Sequence, residues 1–341
     1  MKAARLTGVG QVHLVDEPDP TPGPGESLVR VGAVGLCGSD LHWFSQGGIG
    51  DALLSRPLVL GHEFGGTVEG GPRQGQRVAV DPAIPCNVCE RCREGNNNLC
   101  PYVRFAGHGA TDGGLREYLA WPTDLLHPVP DTFSDGAVAL LEPLGVALHS
   151  FDLGHVRYGS AVAVVGCGPI GLMVVQVARS AGAASIVAVE PLAHRRAAAA
   201  RCGAHIVLAP AEAKASGLQV DVSFEVAGAD EAIETSMVLV RPGGRIVLAG
   251  IPDDDKTSFP AALARRKGLT IAVARRMKDA YPRAISAVER GVIELDWLIT
   301  PTFALAGIQE AFRVAASRDG LKTVVQIGTP WGVSTAKGGP T

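Results

Sequence analysis

The sequence has little net charge. Over 341 residues, 31 Lys and Arg side chains face 34 Asp and Glu side chains, a formal net charge of −3. Both signs are interspersed, so nothing in the charge pattern favours a nucleic-acid partner. Residues 1–6 lack the apolar run of a signal peptide, and we therefore expect a cytoplasmic protein. The sequence also lacks internal repeats and low-complexity segments, which excludes repeat architectures.

Long hydrophobic runs are scarce, with one exception. Residues 159–178 are uncharged and long enough to span a bilayer. Three glycines and a proline interrupt this stretch, and residues 162–165 are typical of a buried strand. A strand, a tight turn and a helix account for the pattern better than a membrane span. We expect no membrane partner.

The length exceeds that of one typical core and predicts two domains. A hydrophobic content of 46% is sufficient for ordered cores. The first third is rich in Gly and Pro and contains short apolar runs, which is typical of a mainly β region with long loops. From about residue 145 to 273, short Val/Ile/Ala strands alternate with helical segments, and this alternation predicts a parallel sheet with helices on both faces.

The short apolar runs in the first third are 27–34, 64–68 and 77–80. The alternating part has predicted strands at 161–165, 185–190, 205–208, 220–225, 245–248 and 270–273, and predicted helices at 172–181, 193–202 and 231–240. A last strand is expected at 324–327, before a tail, 329–341, with little to bury.

A glycine fingerprint follows the strand at 161–165 and opens a helix. Its residues are Gly166, Gly168, Pro169, Ile170 and Gly171. The first glycine permits a tight turn, the second lets the backbone approach a pyrophosphate, and the third allows the helix to pack closely on the strand. The helix N-terminus attracts negative charge. In this context the motif predicts a dinucleotide site.

Glu190 ends the next strand, nineteen residues after Gly171, where an acid would bind the adenosine ribose hydroxyls. Its carboxylate would repel the 2′-phosphate of NADP, so the sequence favours NAD. Arg195 and Arg196 follow closely and leave NADP open, since either could hold that phosphate.

Two later strands end in turns at the expected nicotinamide end of the site. We expect Val226, Gly228, Gly250 and Ile251 to contact the cofactor there; the alternative interpretation is ordinary strand-to-helix turns.

Four of the seven cysteines lie within fifteen residues: Cys86, Cys89, Cys92 and Cys100. In a reducing compartment such a cluster is more often a metal site than a set of disulfides. Four thiolates satisfy tetrahedral zinc with no open position, which is the arrangement of structural sites. Four unligated thiols in an exposed loop would be a chemical liability, so we expect structural zinc.

A second set of possible zinc ligands is dispersed: Cys37, His62, Glu63 and Glu142. Three protein ligands and an open position would give a Lewis-acid site. Spacing alone does not bring these residues together. Taken separately, they could be a buried cysteine, a loop histidine and a helix-capping acid.

The motifs taken together resemble those of the zinc-containing medium-chain alcohol dehydrogenases, over roughly residues 1–330. The resemblance rests on 35–40 (GLCGSD), 60–66 (LGHEFGG), the four-cysteine loop, 142–144 (EPL) and the glycine fingerprint, in the family's order. Within the family, residues 43–51, 57–62, 142–145 and 275–285 resemble sorbitol and xylitol dehydrogenases.

This resemblance implies an α/β chain with a discontinuous, mainly β GroES-like catalytic domain, 1–145 and 277–341, whose zinc lobe covers about 81–101. A Rossmann domain with a doubly wound parallel sheet occupies 146–276. The family is commonly dimeric or tetrameric, so we expect a homo-oligomer.

The resemblance also implies a role for each site residue. Glu63 is the third ligand of the catalytic zinc in polyol-type enzymes, while Glu142 either takes that place or binds water beside the metal; the alternatives stay open. The other implied roles are zinc ligands at Cys37 and His62, orientation of His62 by Asp40, proton acceptance by Ser39, a relay to solvent through His42, and contact with substrate hydroxyls by Arg276.

The implied reaction is hydride transfer from a secondary alcohol, of a polyol or sugar-like compound, to NAD, with two zinc ions per chain. Alternatives are a threonine-like amino alcohol or an aminocyclitol as substrate, or a non-catalytic zinc- and nucleotide-binding protein, which the Ser39 and His42 pair disfavours. The chain departs from the family at Trp43 and Met277, both expected to line the substrate cleft. His108 has no family counterpart, and we expect it to be an exposed loop histidine.

Overall fold

The computed structural model describes residues 1–329. Residues 330–341, most of the predicted tail, lie outside the described residues. The strands are β1 (Lys2–Gly8), β2 (Gln11–Asp16), β3 (Glu26–Gly35), β4 (Gly48–Ile49), β5 (Ala52–Leu53), β6 (Leu58–Val59), β7 (Glu63–Gly70), β8 (Arg77–Val80), β9 (Ala83–Ile84), β10 (Arg104–Phe105), β11 (Tyr118–Pro122), β12 (Leu126–Pro128), β13 (Ala161–Val165), β14 (Ser185–Val189), β15 (Ile206–Leu208), β16 (Val220–Glu225), β17 (Val240–Leu248), β18 (Thr270–Val273), β19 (Ile299–Ala304) and β20 (Lys322–Gln326).

The α-helices are α1 (Gly38–Gln46), α2 (Glu90–Arg93), α3 (Asp135–Ala139), α4 (Leu141–Gly154), α5 (Pro169–Ser180), α6 (Ala193–Cys202), α7 (Pro210–Ala215), α8 (Asp230–Leu239), α9 (Ala261–Lys267), α10 (Tyr281–Glu289) and α11 (Ile308–Ser317). Short 3₁₀ turns lie at Asn97–Leu99, Thr123–Leu125, Asp296–Leu298 and Leu305–Gly307.

A seven-stranded sheet organises the mainly β part of the chain. Its order is β12-β8-β7-β3-β20-β19, and β11 also pairs with β3. The second half of β3 is buried throughout, because the sheet and its covering helices enclose an apolar core. Strands β19 and β20 come from the C-terminal part of the chain, and β20 pairs antiparallel with β3. The catalytic fold is therefore discontinuous in sequence, as the resemblance implies.

A six-stranded parallel sheet forms the second structural unit, in the order β15-β14-β13-β16-β17-β18. This order corresponds to the doubly wound dinucleotide-binding topology, in which the order of strand addition reverses beside the first strand, β13. The central strands β13, β14 and β16 are mostly buried, as strands of parallel sheets between helix layers are. The domain boundaries at 145/146 and 276/277 remain predictions.

Residues 159–178 form β13, the fingerprint turn and most of α5, which confirms the predicted strand, turn and helix. Within the described residues, Asp135–Gly154 is the single helical stretch long and apolar enough to cross a membrane, and 61% of its apolar 18-residue window is buried inside the protein. Helix α4 within it packs on α5 and α10. Buried core helices share this composition.

Candidate active site

The turn from β3 into α1 positions the first of the predicted ligands. Cys37 is the N-cap of α1. The buried Asp40 carboxylate accepts the Cys37 N–H at 2.9 Å and the Gly61 N–H at 3.2 Å. Gly61 has φ of +92°, and a Cβ there would lie 2.7 Å from Val34. Two distant segments are thus held against each other, which brings Cys37 beside His62.

Cys37, His62 and Glu63 each offer one ligand atom, and these atoms lie within 4.8 Å of one another. His62 Nδ1 is 3.5 Å from Asp40 Oδ1, so the ring presents Nε2 to the group. Burial lowers the pKa of His62, but the charges of Asp40 and Cys37 outweigh it and raise the pKa well above its usual value. A thiolate, an imidazole and a carboxylate are the donors that catalytic zinc takes from proteins, so the arrangement fits the metal.

Lys322, on β20, lies directly behind this group and was not found by sequence reasoning. Its Nζ is 2.5 Å from Glu63 Oε2 and donates to the Leu36 carbonyl at 2.9 Å. Both side chains of the ion pair are buried, at 3% and 1% exposure. Burial lowers the pKa of Lys322, but Glu63 and Cys37 raise it by more. The sequence signal that could have identified Lys322 is a single lysine at the start of an apolar strand, KTVVQ.

Glu142 lies in the first turn of α4 and is 5% exposed. It is outside the group formed by Cys37, His62 and Glu63. Burial raises the pKa of its carboxyl to about 8; His62 lowers the pKa and Glu63 raises it further. Those interactions show that Glu142 is close to the donor group without being part of it.

Ser39 and His42 lie on α1, three residues apart and therefore on one face of the helix. Ser39 Oγ is 3.4 Å from His62 Nε2, at the donor group itself. His42 Nδ1 is 3.8 Å from Asp253 Oδ1, in the loop after β17. The predicted relay therefore begins at the ligands and ends beside the parallel-sheet domain.

Phe105 and Arg276 lie beside His62, in the space that we call the cleft. The centroid of the Phe105 ring is 5.2 Å from that of His62, and the Arg276 guanidinium carbon lies 4.8 Å above the Phe105 ring. Burial and the neighbouring Arg275 lower the pKa of Arg276 to about 10. Within residues 1–329, Arg276 has no ion pair or hydrogen bond from its side chain, which leaves its donors available to a ligand.

His108 is half-buried, so the expectation of an exposed loop histidine is wrong. Its ring lies edge-on to Trp43, with centroids 5.5 Å apart and an interplanar angle of 83°. Burial lowers the pKa of His108, and Arg276 lowers it further. Trp43 itself is 2% exposed. Met277 is 9% exposed and lies against Gly145 of α4, and its place in the cleft stays a prediction.

The four-cysteine loop brings its thiols together as predicted. The Sγ atoms of Cys86, Cys89, Cys92 and Cys100 lie within 4.8 Å of one another. The N–H groups of Cys86 and Cys89 donate to the sulfurs of Cys100 and Cys86 at 3.4 and 3.3 Å. Backbone hydrogen bonds, from Val88 and then Cys89, lower the pKa of Cys86 to about 6. Four clustered sulfurs with N–H donors fit a closed, tetrahedral zinc site.

The loop contacts the segment that carries the cleft arginine. The Asn98 amide donates to the Arg275 carbonyl at 3.0 Å, and Lys278 Nζ donates to Asn96 Oδ1 at 2.7 Å. The backbone of Arg276, between these two contacts, has a φ of +55°.

The glycine fingerprint has the geometry of a phosphate-binding turn. Gly166 has φ of +96°, and a Cβ on Gly171 would collide with the Gly166 carbonyl. At Gly168, the N-cap of α5, a Cβ would meet only Arg195 Nη1, at 3.7 Å. Pro169 and Ile170 then open the helix. The first and third glycines are required by packing, while the second faces open space that a bound pyrophosphate would fill.

Glu190 follows β14 and is 4% exposed. Its carboxylate accepts the N–H of Cys167 at 2.7 Å and that of Leu192 at 3.0 Å, which fixes it beside the fingerprint turn. Arg196 donates to the carbonyls of Glu190 and Pro191, at 2.9 and 2.6 Å.

Arg195 lies between the fingerprint turn and the C-terminal part of the chain, with Nη1 facing Gly168. Its guanidinium donates to the Gly320 carbonyl at 3.3 Å and to the Arg318 carbonyl at 3.5 Å. Both acceptors precede β20, so Arg195 connects α6 with the C-terminal part of the catalytic fold.

The turns at 226–228 and 250–251 lie against each other, because a Cβ on Gly250 would collide with the Gly228 N–H. Glu225, which sequence reasoning missed, holds the first turn: its Oε1 accepts the N–H groups of Ala227 and Gly228, each at 2.7 Å. Val226 packs near Gly171, and Ile251 is 48% exposed. An acid that ends a buried strand was the signal for Glu225.

Comparison with known proteins places this geometry in a family. Residues 23–131 match the alcohol dehydrogenase GroES-like domain, and residues 169–290 match the zinc-binding dehydrogenase domain. The sorbitol dehydrogenase of Bacillus subtilis (strain 168) is 33% identical over 331 residues, 92% of this chain and 93% of that protein.

Solved structures agree. L-idonate 5-dehydrogenase from Escherichia coli superposes with a TM-score of 0.87 at 28% identity, covering 96% of this chain and 98% of that one. A zinc-binding dehydrogenase of Sinorhizobium meliloti 1021, solved with NADP, also has a TM-score of 0.87, at 32% identity, with 96% and 99% covered. The chain thus belongs to the zinc-dependent medium-chain dehydrogenases, in the branch that includes the polyol dehydrogenases, and is an oxidoreductase that uses zinc and a nicotinamide cofactor.

Proposed function

We propose that this chain oxidises a secondary alcohol of a polyol or sugar-like compound with NAD. The observation that carries the proposal is one cleft with two complementary parts: the donor group of Cys37, His62 and Glu63, and the Arg276 guanidinium across the Phe105 ring. The first suits the reacting hydroxyl, and the second has donors for further hydroxyls. Relatives named for sorbitol and L-idonate support this substrate class.

The proposal includes two zinc ions per chain. The four-cysteine loop would hold one, and Cys37, His62 and Glu63 would hold the other. Zinc acts as a Lewis acid that lowers the pKa of a hydroxyl group bound to it. We assign Glu63 rather than Glu142 as the ligand, because its oxygen lies within the group.

The chain's own residues position the substrate and remove its proton. Ser39 Oγ, beside His62 Nε2, accepts the proton of the reacting hydroxyl and gives up its own hydroxyl proton to a relay that runs through the cofactor ribose and His42 to solvent. Asp40 keeps the His62 ring oriented through its contact with Nδ1. Glu142, buried next to the donor group, is placed to bind water there.

The preference for NAD rests on Glu190. A buried carboxylate beside the fingerprint accepts ribose hydroxyls and repels a 2′-phosphate. Arg196 already donates to the carbonyls of Glu190 and Pro191. Arg195 donates to Gly320 through Nη2 but has Nη1 facing Gly168, so it is the arginine that could hold a 2′-phosphate. Because one structural relative was solved with NADP, kcat/KM has to be measured with both NAD and NADP.

A homo-oligomer in the cytoplasm completes the proposal. Strand β18 is an edge of the parallel sheet, and Thr270 and Val273 are exposed on it. An exposed apolar edge strand favours pairing with another copy. A four-thiol metal site suits a reducing compartment. Light scattering on the purified protein determines the number of chains.

A substrate and cofactor panel tests the activity. Purified protein with its zinc counted is assayed with NAD and NADP against sorbitol, xylitol, 2-butanol, threonine and an aminocyclitol. We expect two zinc ions per chain and the highest kcat/KM for a polyol with NAD. A higher kcat/KM for threonine or the aminocyclitol refutes the polyol as substrate. One zinc per chain in fully active enzyme refutes the second zinc ion.

A further inference from the structure

The loop that carries His108 is fixed to the ligand-bearing segment. A Cβ on Gly107, which has φ of +70°, would lie 2.9 Å from the Gly61 nitrogen, so the two backbones are in contact. His108 and Thr111 then exchange backbone hydrogen bonds of 3.2 and 3.1 Å, which close a tight turn. The position of the His108 ring is therefore tied to that of His62, which follows Gly61.

The His108 ring is supported by packing, but its two nitrogens form no hydrogen bonds to the described residues. Trp43, buried in the core, supports its edge at a centroid distance of 5.5 Å. Within residues 1–329, neither ring nitrogen of His108 has a hydrogen-bond partner. Both nitrogens are therefore available to a ligand, and the charged groups that act on the ring are Arg276, Arg275 and His62.

We propose that His108 is a specificity-determining residue, whose imidazole hydrogen-bonds a substrate hydroxyl on a carbon other than the one oxidised. The inference rests on the proposed function and extends it, because it assigns recognition of the extended hydroxylated substrate to a particular residue in the cleft.

The donor and acceptor inventory of the cleft favours this role. Arg276 offers donors only, whereas a neutral imidazole has one donor and one acceptor, as a hydroxyl has. Phe105 lies between Arg276 and His62 and supplies an apolar face. A chain with several hydroxyls satisfies both polar groups, while a simple secondary alcohol leaves both without partners. Binding sites discriminate strongly against analogues that leave buried polar groups unpaired.

The variant His108→Phe tests the proposal, since a phenyl ring can keep the edge contact with Trp43 but has no polar atoms. We expect kcat/KM for the preferred polyol to fall about tenfold to a hundredfold, as expected for losing a hydrogen bond in the transition state. The kcat/KM for 2-butanol should stay within about twofold. Zinc content and NAD affinity should not change. His13→Phe, at an exposed position on β2, is the matched control.

A second pair of variants covers the case in which His108→Phe does not fold. Asn and Leu have nearly the same shape, so His108→Asn should retain more polyol activity than His108→Leu, because the amide restores a donor and an acceptor. Equal losses on polyol and 2-butanol, or equal activity of the Asn and Leu variants, overturn the role of His108. Wild-type enzyme that oxidises 2-butanol but no polyol overturns the proposed function instead.

Discussion

Glu63 and Glu142 are both buried carboxyls near the predicted catalytic zinc, and replacing each with Gln should have opposite effects. Glu63 is paired with Lys322 at 2.5 Å, and both side chains are almost fully buried. Glu63→Gln leaves a buried cation without its counter-ion, which typically costs about 3–5 kcal/mol. The metal-free protein should be destabilised by this amount, and zinc should be lost as well, because a neutral amide is a poor ligand.

Glu142→Gln should stabilise the metal-free protein. The folded-state pKa of Glu142 is about 8, raised by burial from an ordinary value of 4.5. The folded chain therefore retains a proton that the unfolded chain releases above pH 4.5, and stability falls as pH rises from 4.5 to 8. At one pKa unit per ~1.4 kcal/mol, this penalty reaches about 3 kcal/mol at pH 7. The amide removes the penalty at pH 7 and changes little at pH 4.

Urea unfolding with a chelator present, at pH 7 and pH 4, measures both stabilities, and elemental analysis counts zinc in untreated samples. Glu142→Gln should keep its zinc and lose about 10–100-fold in turnover. If zinc leaves the Glu142 variant and stays in the Glu63 variant, the ligand is Glu142. Full zinc and full turnover in both variants would remove both carboxyls from the site.

Three further outcomes follow from the structure. Cys92→Ser should lower the zinc content from two ions to one per chain; retention of both ions would show that the loop holds none. Glu190→Gln should lower the ratio of kcat/KM for NAD over NADP by about tenfold or more, and a wild-type preference for NADP would contradict the assignment of Glu190. Burial lowers the pKa of His127 from 6.5 to about 4, so wild-type stability falls as pH drops from 6.5 toward 4. His127→Phe, which keeps the stack on Tyr281, should gain up to about 2 kcal/mol at pH 5 and little at pH 8; an equal gain at both would implicate packing.

Most of the parallel sheet could be predicted because its strands are short β-branched runs between clear breaks. The bounds of β13, β16 and β18 agree with the predicted 161–165, 220–225 and 270–273. Strand β17 begins five residues earlier than expected, at Val240, since Pro242 and two glycines masked its start. Helices α7 and α9 were not predicted, because segments of six and seven residues are too short for a helical period to be evident.

Some residues of the candidate site could be predicted from local sequence patterns, and others could not. The clustered cysteines and the glycine fingerprint can be recognised from their spacing. Lys322 and Glu225 are single charged residues, and the sequence around them does not indicate that they are buried. His108 was misjudged because loop histidines are mostly exposed, and its contact with Trp43 joins residues 65 positions apart. Ion pairs and contacts across such separations depend on tertiary structure that local patterns do not contain.

The contacts of Asn96 and Asn98 with the segment around Arg276 give the four-cysteine loop a consequence beyond its own folding. Lys278 is held on one side of Arg276 and the Arg275 carbonyl on the other, both from the loop. Since the backbone between them is fixed with a φ of +55°, the direction of the guanidinium depends on the loop being intact. The metal proposed for this loop would therefore influence substrate binding without contacting the substrate. We predict that its removal raises KM for polyols first, while the donor group of Cys37, His62 and Glu63 still functions.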